Sequence, residues 1–206
     1  MLIDVSVKME QGMCFRKGSP ALKLETIECY DKSEGHYQTT FLSTSTHIGT
    51  HIDVMDKNLF IEPERFIGRG VLIDISKVGL ERQVELQDLG EVRDVVSEGD
   101  FVFFRTGWDQ YLLEEAYFKH PELAFEVIEW LVSKKVNMVG IDALGLGMDK
   151  NHGLYDRTLA KNNIFAIENL VGLDKVNQKT FRVYCFPLSI VGTEAIPARI
   201  LVEVGK

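Results

Sequence analysis

Cysteine is scarce and scattered in this chain. Cys14, Cys29 and Cys185 form an odd set with no short spacing between any two. That pattern excludes a disulfide framework and a zinc ribbon, and it is the usage of free thiols in a reducing compartment. Positive charge is also in short supply: 23 Lys and Arg stand against 31 Asp and Glu, a formal net charge of -8. With no basic stripe either, the chain lacks what nucleic-acid binding requires. No apolar run approaches the roughly 20 residues of a membrane span, so no membrane contact is expected. Met1-Leu2-Ile3-Asp4-Val5 has no basic region leading into an apolar one, which predicts no signal peptide and a cytoplasmic location. Low-complexity tracts, long linkers and fixed-period repeats are absent as well.

What remains is ordinary globular composition. The 206 residues are 45% hydrophobic and 26% charged, which predicts a single domain over 1–206. A chain of this length buries a sizeable core without metal or disulfides. A metal site in it would therefore serve chemistry rather than hold the fold together.

Strand signals dominate. Alternation or short apolar runs predict strands over 2–7, 70–75, 100–106, 138–142, 164–168 and 199–204. The fourth and fifth end in carboxylates, Asp142 and Glu168. Ala124, Val127, Ile128 and Leu131 recur at i, i+3, i+4, i+7 and predict a helix with Pro121 near its start. Further helices are predicted over 109–119 and, briefly, over 156–161. The sum is a mixed α/β chain with more strand than helix.

One short segment carries chemistry. His47-Ile48-Gly49-Thr50-His51-Ile52-Asp53 places two imidazoles and a carboxylate within seven residues, a donor set suited to zinc, manganese or iron(II). Neither regular backbone brings all of them to one ion. In a helix Asp53 would lie about 200° round from His51. In a flat strand His47 and His51 would stand about 13 Å apart. A strand bent at Gly49 solves both problems, because glycine permits the bend. On spacing alone, two surface histidines beside an unrelated Asp remain the alternative.

The same segment resembles the signature of the cyclase family of metal-dependent hydrolases, which includes bacterial kynurenine formamidases and isatin hydrolases. Further ordered matches run along most of the chain. They are Leu2-Ile3-Asp4-Val5-Ser6, the stretch from Gly99 to Trp108, Glu129-Trp130-Leu131 followed by Val139-Gly140-Ile141-Asp142, the stretch from Ile167 to Asp174, Phe186-Pro187-Leu188 and Ile196-Pro197-Ala198-Arg199. The resemblance implies a swivelling β/β/α domain with a mixed sheet. It also implies a homodimer or homotetramer, and amide hydrolysis with one or two divalent ions per chain, zinc or manganese. By resemblance His47, His51 and Asp53 bind one ion, Asp53 bridges to a second, and Glu168 is a carboxylate ligand of that second ion.

Two positions depart from the family pattern. The family's proton-transferring His, four residues after the bridging Asp, is Lys57 here, and a neighbouring Pro is replaced by Met55. The family His twelve residues before the second-site Glu is Asp156. Asp156 can still ligate, and oxygen donors would bias the second ion toward manganese or magnesium. His152 would substitute if the loop shifts. Read alone, Asp156 is a helix N-cap and Glu168 a strand-end carboxylate.

A divalent ion would activate water and polarise a carbonyl, and the leaving amine would need a proton. Lys57 could carry it only with a depressed pKa; otherwise it is a solvated cation, and Asp56 or Glu62 takes the role. Asp142 is a turn residue or a partner to the ligands. Phe15 and Trp108 are candidates either to line an aromatic pocket or to sit in the core. His36 and His120 are expected at the surface. The functional readings are therefore a formamidase acting on a small N-formyl aromatic amine such as N-formylkynurenine, a hydrolase of a cyclic amide such as isatin, or a metal- or ligand-binding protein without turnover.

Overall fold

The computed structural model describes residues 1–205. Its main sheet contains β1 (Leu2–Asp4), β4 (His51–Asp53), β5 (Ile67–Asp74), β6 (Phe101–Arg105), β7 (Met138–Ile141), β8 (Phe165–Glu168), β9 (Thr180–Pro187) and β10 (Ala195–Glu203). The strand order is β1-β10-β4-β8-β7-β6-β5-β9, and β9 also pairs with β10. That last pairing closes the sheet into a barrel. One edge of β10 serves β9, while its other edge takes β4 at Ala195–Pro197 and β1 at Leu201–Glu203.

β5, β6, β7 and β8 run parallel to one another, and the remaining pairings are antiparallel. Parallel neighbours need long crossovers. Two of these carry the α-helices: α1 (Phe125–Lys134) lies between β6 and β7, and α2 (Asp149–Lys161) between β7 and β8. α1 buries Val127, Ile128 and Leu131 and ends at Lys135 in the left-handed region (φ 52°), a common helix stop. The architecture is thus the mixed α/β class, richer in strand than helix, that the sequence pattern predicts, and the β/β/α arrangement that the family resemblance implies.

Strand alternation splits the core in two. Phe101, Phe103, Met138, Phe165 and Ile167 pack with Ile52, Val183 and Ile200 on one face. Val102, Phe104, Val139, Ile141 and Ala166 face the other way, against Val127, Ile128, Leu131, Tyr155 and Leu159 of the helices. By the period of two along a strand, Glu168 shares the helix side with Ala166. His51 and Asp53 share it too, opposite Ile52.

Several expectations need correction. Residues 109–119 form no α-helix but two short 3-10 turns, Trp108–Tyr111 and Glu115–Phe118. The helix expected over 156–161 begins at Asp149, so Asp156 lies inside it rather than capping it. β1 is shorter than 2–7, with Ser6 adding an isolated bridge to Leu170. His120 is 3% exposed rather than at the surface. A hairpin, β2 (Lys23–Asp31) and β3 (Gly35–Ser43), was not anticipated and forms a separate two-stranded sheet. All three cysteines are free thiols. Among the described residues no helix is long and apolar enough to cross a membrane.

Candidate metal centre

β4 is the axis of the site. Its antiparallel register places His51 directly opposite Glu168 of β8, so the two side chains rise from one face with Asp53 beside them. The chain bends just before β4. Gly49 sits at φ +57°, and a Cβ there would stand 3.1 Å from the Met9 side chain. The bend brings His47 Nδ1 to 3.2 Å from His51 Nε2 and 3.1 Å from Asp53 Oδ1.

The tautomer of His51 follows from its other nitrogen. His51 Nδ1 lies 2.9 Å from the Gly49 carbonyl, an acceptor only, so Nδ1 carries the proton and Nε2 offers a lone pair to the cluster. Asn169, fully buried, also donates to the Gly49 carbonyl at 3.0 Å. Tyr117 donates its hydroxyl to Asn169 Oδ1 at 2.8 Å, and Thr50 donates to the Asn169 carbonyl at 2.6 Å. Thr50, Tyr117 and Asn169 therefore brace the bend that aims the histidines.

α2 supplies the opposite wall. His152 and Asp156 are one turn apart and share a face. His152 Nε2 reaches 3.7 Å from Asp156 Oδ2 and 3.8 Å from Glu168 Oε1. Gly145 makes room for the His152 ring: a Cβ there would lie 2.4 Å from Nδ1. The ligand-competent side chains form two groups, His47–His51–Asp53 and Asp53–His152–Asp156–Glu168, with all donor atoms in each group within 4.8 Å of one another. Asp53 belongs to both.

Electrostatics identifies what these groups fit. Asp53, Asp156 and Glu168 are 2%, 4% and 2% exposed, and burying a carboxylate costs several kcal/mol unless a cation or hydrogen bonds offset it. Yet Asp53 Oδ1, Asp156 Oδ1 and Glu168 Oε1 are buried without a well-formed hydrogen bond. Burial first, then the charges of Glu168 and Asp53, push the Asp156 carboxyl well above its ordinary range. Burial and Asp53 do the same to Glu168. Burial also acts against ionised Asp53, but His51, His47 and His152 outweigh it and hold the group below its usual value. Orphaned carboxylate oxygens facing imidazole lone pairs are what one or two divalent cations would satisfy.

The cluster lies at the meeting of two openings. A cavity of about 580 Å³ is bordered by His47, His51, His152 and Glu168 together with Phe118, His120 and Leu144. A second, of about 560 Å³, is bordered by His47, Asp53, His152 and Asp156.

Other sequence candidates fall elsewhere. Lys57 is 66% exposed and lies 3.8 Å from Glu194, whose other oxygen is 3.5 Å from His47 Nε2. Asp56 and Glu62 are exposed. Phe15 packs with Leu22 and Ile48, away from either opening. Trp108 packs on the helix-side core and donates its indole N–H to the Ala116 carbonyl at 3.2 Å. Neither aromatic lines the cavities. Asp142 accepts from Thr106 N, Thr106 Oγ1 and Gly107 N at 2.6, 2.6 and 2.9 Å, and thereby pins the turn after β6. Burial dominates there and raises its pKa to about 6.

Known proteins resemble this chain in sequence and fold. The Cyclase family model matches residues 3–147. An isatin hydrolase of Roseibium aggregatum is 25% identical over 93% of this chain and 84% of its own length. A kynurenine formamidase of Erythrobacter litoralis is 26% identical over 75% of this chain and 71% of its own. Among solved structures, an isatin hydrolase bound to the product analogue thioisatinate superposes with a TM-score of 0.82 at 22% identity, over 100% of this chain and 92% of that one. A structure described as a potential metal-dependent hydrolase with cyclase activity gives 0.80 at 25%, over 100% and 99%.

Proposed function

Since the chain belongs to the cyclase family, we propose that it is a metal-dependent hydrolase of a small amide, with N-formylkynurenine or a related N-formyl aromatic amine as substrate. The observation that carries this reading is Asp53, a buried carboxylate shared by two ligand groups and bordering the second opening. His47, His51 and Asp53 would hold one ion. Asp53, His152, Asp156 and Glu168 would hold a second. Zinc suits the imidazole-rich first group, and manganese the oxygen-rich second. Bound there, the ions would lower the pKa of water and polarise the amide carbonyl.

The chain's own groups do the rest. Asn169 and Gly49 hold the His51 ring so that Nε2 faces inward. Phe118, Leu144 and Met148 give the larger cavity apolar surface for an aryl group. The departing amine needs a proton. Lys57, exposed and beside Glu194, is poorly placed to give it. His120 borders the cavity, and its Nδ1 donates to the Pro121 carbonyl at 2.9 Å, which leaves Nε2 to exchange protons. Burial favours the neutral His120 ring, the form that would take a proton from the attacking water and then give it to the departing amine. We assign the proton-carrying role to His120.

The exposed hairpin supports a homo-oligomer. Leu24, Ile27, Tyr30, Tyr37, Phe41 and Leu42 are all exposed on it, and an isolated two-stranded hairpin is marginal in water. A second copy of the chain would cover it.

The deciding experiment is elemental analysis of the purified protein alongside an assay with N-formylkynurenine and isatin. Bound divalent ion and release of formate are expected. Ion without turnover of either compound would point to a binding protein, and absence of ion after loading would sink the hydrolase reading.

A further inference from the structure

The second opening carries charge that the metal centre does not explain. Its lining includes Arg16, Lys150 and Arg157 beside Asp53, His152 and Asp156. Asp149 and Glu194 are also on it, and Glu194 already lies 3.5 Å from His47 and 3.8 Å from Lys57. Arg16 also borders the larger cavity, so it stands where the two openings meet. Among the described residues neither guanidinium has an ion pair or a side-chain hydrogen bond. The arginines elsewhere are all engaged. Arg69, Arg82, Arg105 and Arg199 pair with Asp100, Asp88, Asp74 and Asp4. Arg65 holds Asn137 and Asn163, Arg93 the Leu86 carbonyl, and Arg182 lies over the Tyr184 ring.

Arg157 is also seated. A Cβ on Gly153 would stand 2.8 Å from its Nη1, so this helix position, lacking a side chain, leaves the guanidinium space to lie along α2 where it borders the second opening. Asp53, Asp156 and Glu168 carry at most three negative charges, so two divalent ions in the centre would leave it net positive beside both arginines. An anion between them relieves that repulsion, and a planar carboxylate matches the guanidinium fork.

We propose that Arg16 and Arg157 form an anion subsite beside the metal centre, which takes a carboxylate carried by the substrate away from its scissile amide. The substrate class is thereby an acidic amide, such as an N-formylated aminobenzoate, rather than a neutral anilide. This deepens the hydrolase reading and rests on it.

Binding of product-like probes decides the matter independently of turnover. With metal-loaded protein, calorimetry would compare 2-aminobenzoate with uncharged aniline, in the parent chain and in Arg16→Met, Arg157→Met and Arg16→Lys. The parent should prefer 2-aminobenzoate. Each Met variant should reduce that preference about tenfold or more, the usual consequence of losing a charge-assisted hydrogen bond. Arg16→Lys should retain part of it. No preference in the parent, or an unchanged preference in both Met variants, overturns the proposal. In parallel, the ratio of kcat/KM for N-formyl-2-aminobenzoate to that for formanilide should fall in the Met variants through KM. Cleavage of both amides with a ratio unmoved by the variants refutes the subsite and leaves the hydrolase reading standing. Cleavage of neither, and of neither N-formylkynurenine nor isatin, refutes the hydrolase reading, while the probe affinities still decide the subsite.

Discussion

Asn169 touches no candidate ion, yet the site geometry depends on it. Its amide holds the Gly49 carbonyl, which in turn fixes the proton on His51 Nδ1. Asn169→Ala would strand the buried Tyr117 hydroxyl and loosen the bend. Removing such a partner of a ligand costs about 10–100-fold in metal affinity, which competition with a chromophoric chelator would measure. An affinity within twofold of the parent's would show that the bend stands without it. Asp142 gives a pH-dependent prediction. Its pKa is raised from 3.8 to about 6 by burial, so the folded state prefers the protonated form. Its stabilising contribution is complete below about pH 4 and is lost as pH rises through 6. Two units at 1.36 kcal/mol each make the loss about 3 kcal/mol. Relative to Asp142→Asn, the parent should thus be more stable at pH 4 than at pH 7 by roughly that amount, and denaturant titration at each pH reads it. A flat difference would mean that Thr106 and Gly107 fully compensate the buried charge.

At the scale of elements, α2 and β4 make the site; β4 was legible through its ligand motif, α2 only in its last turns, and the hairpin of β2 and β3 not at all. The strands β5, β6, β7 and β8 and the helix α1 are buried in the regular way, so their apolar runs and i, i+3, i+4 spacing announced them. β4 is three residues long and shows two ligands on its polar face, so it reads as a motif rather than a strand. α2 buries just Tyr155, Asp156 and Leu159. With a glycine within it and a carboxylate on its inner face, it lacks the stripe that marks a helix. For that reason His152 looked like a loop residue, when the helix already sets it one turn from Asp156. Gly145 offers a test of this arrangement. A methyl group there would meet the His152 ring at 2.4 Å, a distance no side chain tolerates without moving. Gly145→Ala should therefore displace His152 and weaken the second ion while His47, His51 and Asp53 keep the first. Manganese titration should show the weaker class of sites lost and the tighter class retained. Loss of both classes would mean that the two groups are not separable.

For the whole molecule, the closed barrel and the hairpin arm make opposite demands. The barrel pairs every strand of its ring and buries both of its cores. The arm pairs β2 with β3 and joins none of the hydrophobic clusters. Its apolar side chains lie on both faces: Leu24, Leu42 and Tyr30 on one, and Ile27, Phe41 and Tyr37 on the other. A surface strand that merely met solvent would keep such residues to one side, whereas a strand pair inserted into a partner needs them on both. Because the arm contributes nothing to the barrel's packing, charges placed on it should affect assembly and not folding. The paired change Ile27→Lys with Phe41→Glu is therefore expected to convert an oligomer to a monomer by light scattering, while the thermal transition of the barrel persists. A parent chain that is already monomeric, or an oligomer whose mass survives both substitutions, would reject the arm as the interface.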